Sequence, residues 1–234
     1  MRFLSLLALS VVASSQQLDA QRFEGTITVR VGGPGGTGSM LTRMTAKGDK
    51  VLNVIALPGM GQEIRTITDN SARTMTSLTP FPPGMTLPPG VATAKGIIDV
   101  RPLPVPAKIT PGTTTKADIR KLGTSQTIAG TRCDDYEVTG ETGQIVRMCL
   151  ATSLGGLVPG ALGGAATGGQ PAPWTKALGN KPLMPLKIWQ PDGTTILEVV
   201  AIKRQLVSPR LFDVPPGYIT MATALKNRTS VPKP

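Results

Sequence analysis

TIAGTRCDDYEVTGETGQIVRMCL, from Thr127 to Leu150, carries both cysteines of the chain and gives the strongest indication of its fold. Polar and apolar residues alternate on either side of Gly140-Glu141-Thr142-Gly143, the composition of two antiparallel strands joined by a tight turn. With the turn centred there, Cys133 is expected opposite Cys149, Asp135 opposite Arg147, Tyr136 opposite Val146 and Asp134 opposite Met148. Directly opposed Cβ atoms lie about 4.5–5.5 Å apart, close to what a disulfide requires. This register gives Tyr136, Val138, Val146, Met148 and Leu150 one face for a core. The cysteines and an Asp135/Arg147 ion pair take the other. The expectation is a structural Cys133–Cys149 disulfide, stabilising by roughly 3 kcal/mol through chain entropy. A redox pair would sit as Cys-x-x-Cys at a helix start, which this spacing excludes.

Such a bridge needs an oxidising compartment, and the first residues point to one. Arg2 is a positive n-region, Phe3 to Ala13 an apolar run, and small residues come next, the three parts of a secretory signal. Cleavage is expected after Ser15 or Ala20. The run is shorter than the ~20 apolar residues a bilayer span needs, and no cysteine succeeds it to take a lipid. The expectation is therefore an exported soluble protein, periplasmic or secreted, that does not span the membrane.

Composition excludes more than it selects. The chain has no histidine, which removes Ser-His-Asp and Cys-His catalysis, His-ligated zinc and histidine pH switching. Twenty-five Lys and Arg stand against 14 Asp and Glu, a net charge of +11, so long-range attraction favours polyanions. Aromatic residues make up only 3% of the chain, too few to stack single-stranded bases. With export, this turns the reading away from nucleic acid and toward an anionic envelope surface.

Along the chain, Arg22 to Val31 alternates strictly, with Phe23, Ile27, Val29 and Val31 on one face. Met40 to Asp49 and Lys50 to Leu57 read as a second hairpin, and Gln62 to Thr68 with Ser71 to Leu78 as a third, turning at Asp69-Asn70. Leu183 to Gln190 and Thr194 to Leu206 are strands about an Asp192-Gly193 turn. Residues 79–111 are proline-rich and 154–173 are rich in Gly, Ala and Pro. Both are expected as irregular loops, since proline lacks the N–H that a strand interior or helix uses. Trp174 to Leu178 could open one short helix.

Motifs that could carry chemistry have plainer readings. Gly33 to Gly38 spells G-x-G-x-x-G after a strand, but the residues beyond it are strand-like and no acid stands about 20 residues on, so it reads as a glycine loop. Asp134, Asp135 and Glu137 lack calcium-loop spacing and read as a solvated hairpin face. Ser125, the lysines and Tyr218 show no S-x-x-K or G-x-S-x-G pattern. Met44, Met60, Met75 and Met148 suit a core or an adaptable pocket.

Two segments carry a resemblance: I-x-G-x-x-C-x-x-Y-x-V from Ile128 to Val138 and L-F-x-V-P-x-G-Y from Leu211 to Tyr218. With FEGTITVRV and KGDKVLNVI they resemble the exported bacterial domain-of-unknown-function family 4412, which is similar to the outer-membrane lipoprotein carrier and receptor group (LolA/LolB-like). The resemblance implies a mainly β fold, an antiparallel curled sheet or unclosed half-barrel with one or two short helices and long Pro/Gly-rich loops. It implies no catalytic residue, and a concave side able to hold a lipid-like ligand.

The expected organisation is a signal at 1–20, one domain at 21–222 and a basic tail at 223–234. The expected function is that of a non-enzymatic envelope protein binding a lipid or other apolar ligand. The alternative is a structural or interaction protein of the envelope with no small-molecule ligand. No catalytic, cofactor-binding or metal-ligating residue is assigned.

Overall fold

Alternating burial, residue by residue, is cleanest in the first strand. β1 (Gly25–Gly32) buries Ile27, Val29 and Val31 and turns Thr26, Thr28 and Arg30 the other way. β2 (Ser39–Lys47), β3 (Lys50–Leu57), β4 (Gln62–Asp69) and β5 (Thr74–Pro80) continue as a meander. Then come β6 (Gly96–Pro102), β7 (Asp118–Ile128), β8 (Thr131–Thr139), β9 (Ile145–Ala151), β10 (Met184–Trp189) and β11 (Thr195–Arg204). A 3-10 turn (Pro209–Phe212), β12 (Tyr218–Thr220) and α1 (Met221–Thr229) close the order. This computed structural model describes residues 23–32, 39–57, 59, 61–87, 91–103, 118–140, 143–154 and 183–229. The expected signal at 1–20, the Gly33–Gly38 loop, Met60, nearly all of 154–173 and the helix expected at Trp174 lie outside them.

The strands form a single sheet of twelve among the described residues, in the order β12-β6-β5-β4-β3-β2-β1-β11-β10-β9-β8-β7. Every neighbouring pair is antiparallel except β12 and β6. The two end strands do not pair, so the sheet is unclosed. The protein is mainly β, with little helix.

Its two faces carry different cores. Ile27, Val29, Met44, Val51, Met148, Ile188, Leu197 and Val199 belong to one cluster running from β8 through β11 and β1 to β3. Leu52, Val54, Ile67 and Leu78 have the opposite parity and pack on the other face, under Val207 and Phe212 from the β11–β12 connection. β1 and β11 can close on each other because Gly25 has no side chain. A Cβ there would run into the carbonyl oxygen of Lys203, and its φ of 149° suits glycine alone.

Three expectations need correction. Residues 79–111 are not irregular throughout: β5 ends on Thr79-Pro80, and β6 occupies Gly96–Pro102. Both prolines fall on the last residue of their strands, where a missing N–H costs least. The expected tail at 223–234 begins inside α1. The hairpin register is shifted by two residues: Asp135 faces Cys149, Tyr136 faces Met148 and Glu137 faces Arg147. The turn is the cause. Gly140 N–H reaches the carbonyl of Gln144, and Gly143 takes the left-handed conformation at φ 77°. These features move the centre of the loop from Glu141 to Thr142 and leave every side chain on the face expected for it.

Candidate functional site: a cationic cleft beside the disulfide hairpin

The disulfide forms despite the shifted register. Cys133 and Cys149 are bonded with Cα atoms 5.3 Å apart. The β8–β9 ladder ends at Asp134 opposite Leu150, so Cys133 lies just past it and reaches Cys149 diagonally. Strand twist shortens one of the two diagonals of an antiparallel pair, which allows the bond. Both cysteines are buried, so the bridge sits within the packed interior.

The carboxylates beside it do not form a solvated face. Asp135, 5% exposed, accepts hydrogen bonds from Thr124 Oγ1 at 2.7 Å and Gln126 Nε2 at 2.8 Å. The expected Asp135/Arg147 pair is absent, because the register gives Arg147 to Glu137, with Nε and Oε2 3.4 Å apart. Glu137 also takes Arg120 Nη2 at 2.7 Å. Asp134, on the opposite face, holds Lys121 Nζ at 2.6 Å.

That last pair opens a cleft of about 580 Å³ at the β7–β8 end of the sheet. Its wall includes Lys121, Arg132 and Asp134, with Tyr136, Leu150 and Leu183 as apolar neighbours. Strand parity explains the mixture: Lys121 lies opposite Tyr136, and Asp134 opposite Leu150, all on one face. The β7–β8 turn narrows one side, with Ala129 and Gly130 at φ 47° and 77°, the two positive values of a tight hairpin. Arg132 Nη2 donates to Ser125 Oγ at 3.2 Å. Two cations and one carboxylate therefore leave the wall net positive, with aliphatic and aromatic surface beside them.

Other sequence candidates are dispersed. Ser125 is on β7 and Tyr218 on β12, at opposite ends of the strand order. Met44 and Met148 are buried in the first core, and Met75 is half-buried on β5. No group of carboxylates and cysteines among the described residues could hold a metal ion. No described helix is long and apolar enough to cross a membrane. The cleft itself is not legible in the sequence, because Lys121 joins Arg132 on its wall only once β7 is placed beside β8. That strand reads DIRKLGTSQTI, too polar to show an alternating pattern.

The ion pairs have a pH signature. Lys47 beside Glu24, Lys121 beside Asp134 and Arg120 beside Glu137 each hold a carboxyl below its ordinary value. The Ala72 N–H does the same for Asp69. Lowered native values stabilise the fold above the unfolded carboxyl range, about pH 4, and that contribution is lost as pH falls through them. Asp134 in turn raises Lys121, whose contribution is complete below the ordinary lysine value and lost only as pH climbs beyond it. Melting temperature tracked by circular dichroism is expected to be level from about pH 5 to 8 and to fall below about pH 4. Glu24→Gln should make that fall shallower.

No curated protein matches this chain. One solved structure with a similar arrangement is titled "Structure of PNGF-II in C2 space group", at 10% identity and a TM-score of 0.41. The likeness covers 88% of this chain and 32% of that one, so this chain spans about a third of that protein's length. Residues 107–218 hold the whole run from β7 to β11, with the cleft's two cations and the disulfide. They match the family model described as Domain of unknown function (DUF4412), and over these residues the chain is similar to that family.

Proposed function

We propose that the protein is an exported, non-enzymatic envelope component that holds an anionic amphiphile in the cleft beside the disulfide hairpin. One observation carries the reading: a cleft of ligand size, about 580 Å³, has Lys121 and Arg132 on the same wall as Tyr136, Leu150 and Leu183. An anionic headgroup would meet the cations while its apolar portion lies along the aliphatic and aromatic surface. The main apolar face offers less room, since Ile27, Met148, Leu186 and Ile188 fill it at 0–1% exposure.

Titration with a fluorescent single-chain anionic lipid tests this directly. Saturable binding is expected. The double variant Lys121→Glu, Arg132→Glu should weaken it about tenfold, the worth of two partly exposed charges. A cationic probe of the same chain length should bind poorly to the native protein and better to the variant. Equal binding of both probes by the native protein, or no binding, would remove the cleft as a ligand site and favour the interaction-protein reading.

A further inference from the structure

The connection between β11 and β12, residues 205–217, reads QLVSPRLFDVPPG and lies over the second core as a strap. It is pinned from inside. Val207 and Phe212 are 4% and 6% exposed against Leu52, Val54, Ile67 and Leu78. The Val207 N–H donates to the Glu24 carboxylate at 2.8 Å, and its carbonyl accepts from Lys47 Nζ at 2.8 Å. Lys47 closes the node on Glu24 at 2.9 Å. With its anchors turned in, the strap holds other apolar side chains out. Leu206 is 92% exposed, Val214 44% and Leu211 43%. These side chains cannot retreat into the core without breaking the Glu24–Val207–Lys47 node.

The charge around them is positive. Lys203 and Arg210 are exposed and pair with no described carboxylate, and Asp213 is the only acid within 205–217. Arg204, which ends β11 just before the strap, donates to the Ser153 carbonyl at 3.0 Å.

We infer that this strap is a docking surface for an anionic lipid bilayer. Three exposed aliphatic side chains, with exposed Lys203 and Arg210 in the same stretch of chain, match an interface in which apolar side chains enter the headgroup boundary and lysine and arginine meet anionic lipids. They are too few for a stable protein contact, which buries upwards of about 1,000 Å². The net charge of +11 adds long-range attraction of the same sign. The inference does not depend on the cleft holding a ligand.

Co-sedimentation of the full chain with vesicles tests it, using phosphatidylcholine alone and phosphatidylcholine mixed with phosphatidylglycerol. Binding is expected only to the mixed vesicles, and raising the salt should weaken it. Leu206→Asp with Leu211→Asp should reduce it about tenfold or more. Arg210→Glu should reduce it about fivefold or more. The leucine variant should still bind the soluble anionic probe, which separates a failure of the strap from a failure of the cleft. Vesicle binding unchanged in the leucine variant would overturn the assignment. So would binding to phosphatidylcholine alone, or light scattering that shows two copies joined through this surface.

Discussion

Replacing both cysteines, Cys133→Ala with Cys149→Ala, is expected to lower stability by about 3 kcal/mol, or roughly 6–12 °C in melting temperature for a chain of this size. The bridge closes a loop with a separation of 16 residues, and that length sets the entropy returned to the unfolded chain when it is cut. Alanine leaves no hydroxyl in a buried site, so the measured loss belongs to the bond and a small cavity. Reducing the bridge in the unfolded protein and refolding under reductant should reproduce most of the loss, whereas reductant should leave the melting temperature of the double variant, which has no cysteine, unchanged. An unchanged melting temperature in the variant would mean that β8 and β9 are held by their ladder and core contacts alone. The β7–β8–β9 end of the sheet should loosen first, because β7 has a neighbour on one side only. Amide exchange along Ile119 to Val138 would read that loosening.

Leu186→Ala should cost about 3 kcal/mol, within the roughly 2–5 kcal/mol typical of a fully buried leucine, and about 10 °C in melting temperature. Leu186 is 0% exposed and stands at the irregularity between Pro185 and Lys187, where β10 leaves strict register with β9. Its neighbours in the cluster include Met148, Ile188 and Leu197, at 0–1% exposure. These side chains are held by strands pairing on both sides, so collapse around a cavity is resisted and the cost stays high. Leu206→Ala is the contrast. The same truncation at a 92% exposed leucine should shift stability by no more than about 0.5 kcal/mol. Chemical denaturation of the two variants, compared at constant m-value, separates the two cases.

Elements with a clean period of two can be read from the residues. The faces of β1, the β2–β3 turn near Gly48 and the two faces of the β8–β9 hairpin all stand where the alternation puts them. β6 is hidden because GIIDV lies between two proline-rich runs, and composition there signals loop more strongly than five strand residues signal strand. β7 is hidden for a different reason. It is an edge strand with almost no buried side chain, and edge strands carry charge to avoid pairing with other chains. The cleft goes unread with it, since Lys121 has no significance until β7 is placed beside β8.

Local alternation and the spacing of turn residues suffice to establish a β-rich chain, two cysteines in one hairpin, and the set of residues sharing each face. Where they show, these properties are local, so no knowledge of distant neighbours is needed. The register of that hairpin, the partners of Asp135, Glu137 and Arg147, and the division of one sheet into two cores on opposite faces emerge only in the folded chain. Each of these depends on how a loop closes or on which distant strand lies alongside. β1 meets β11 across more than 160 residues, and no local pattern encodes that pairing. The exposed leucines of the strap are the clearest case. In the sequence they are ordinary apolar residues, and only the anchoring of Val207 and Phe212 against the second core turns them out to solvent.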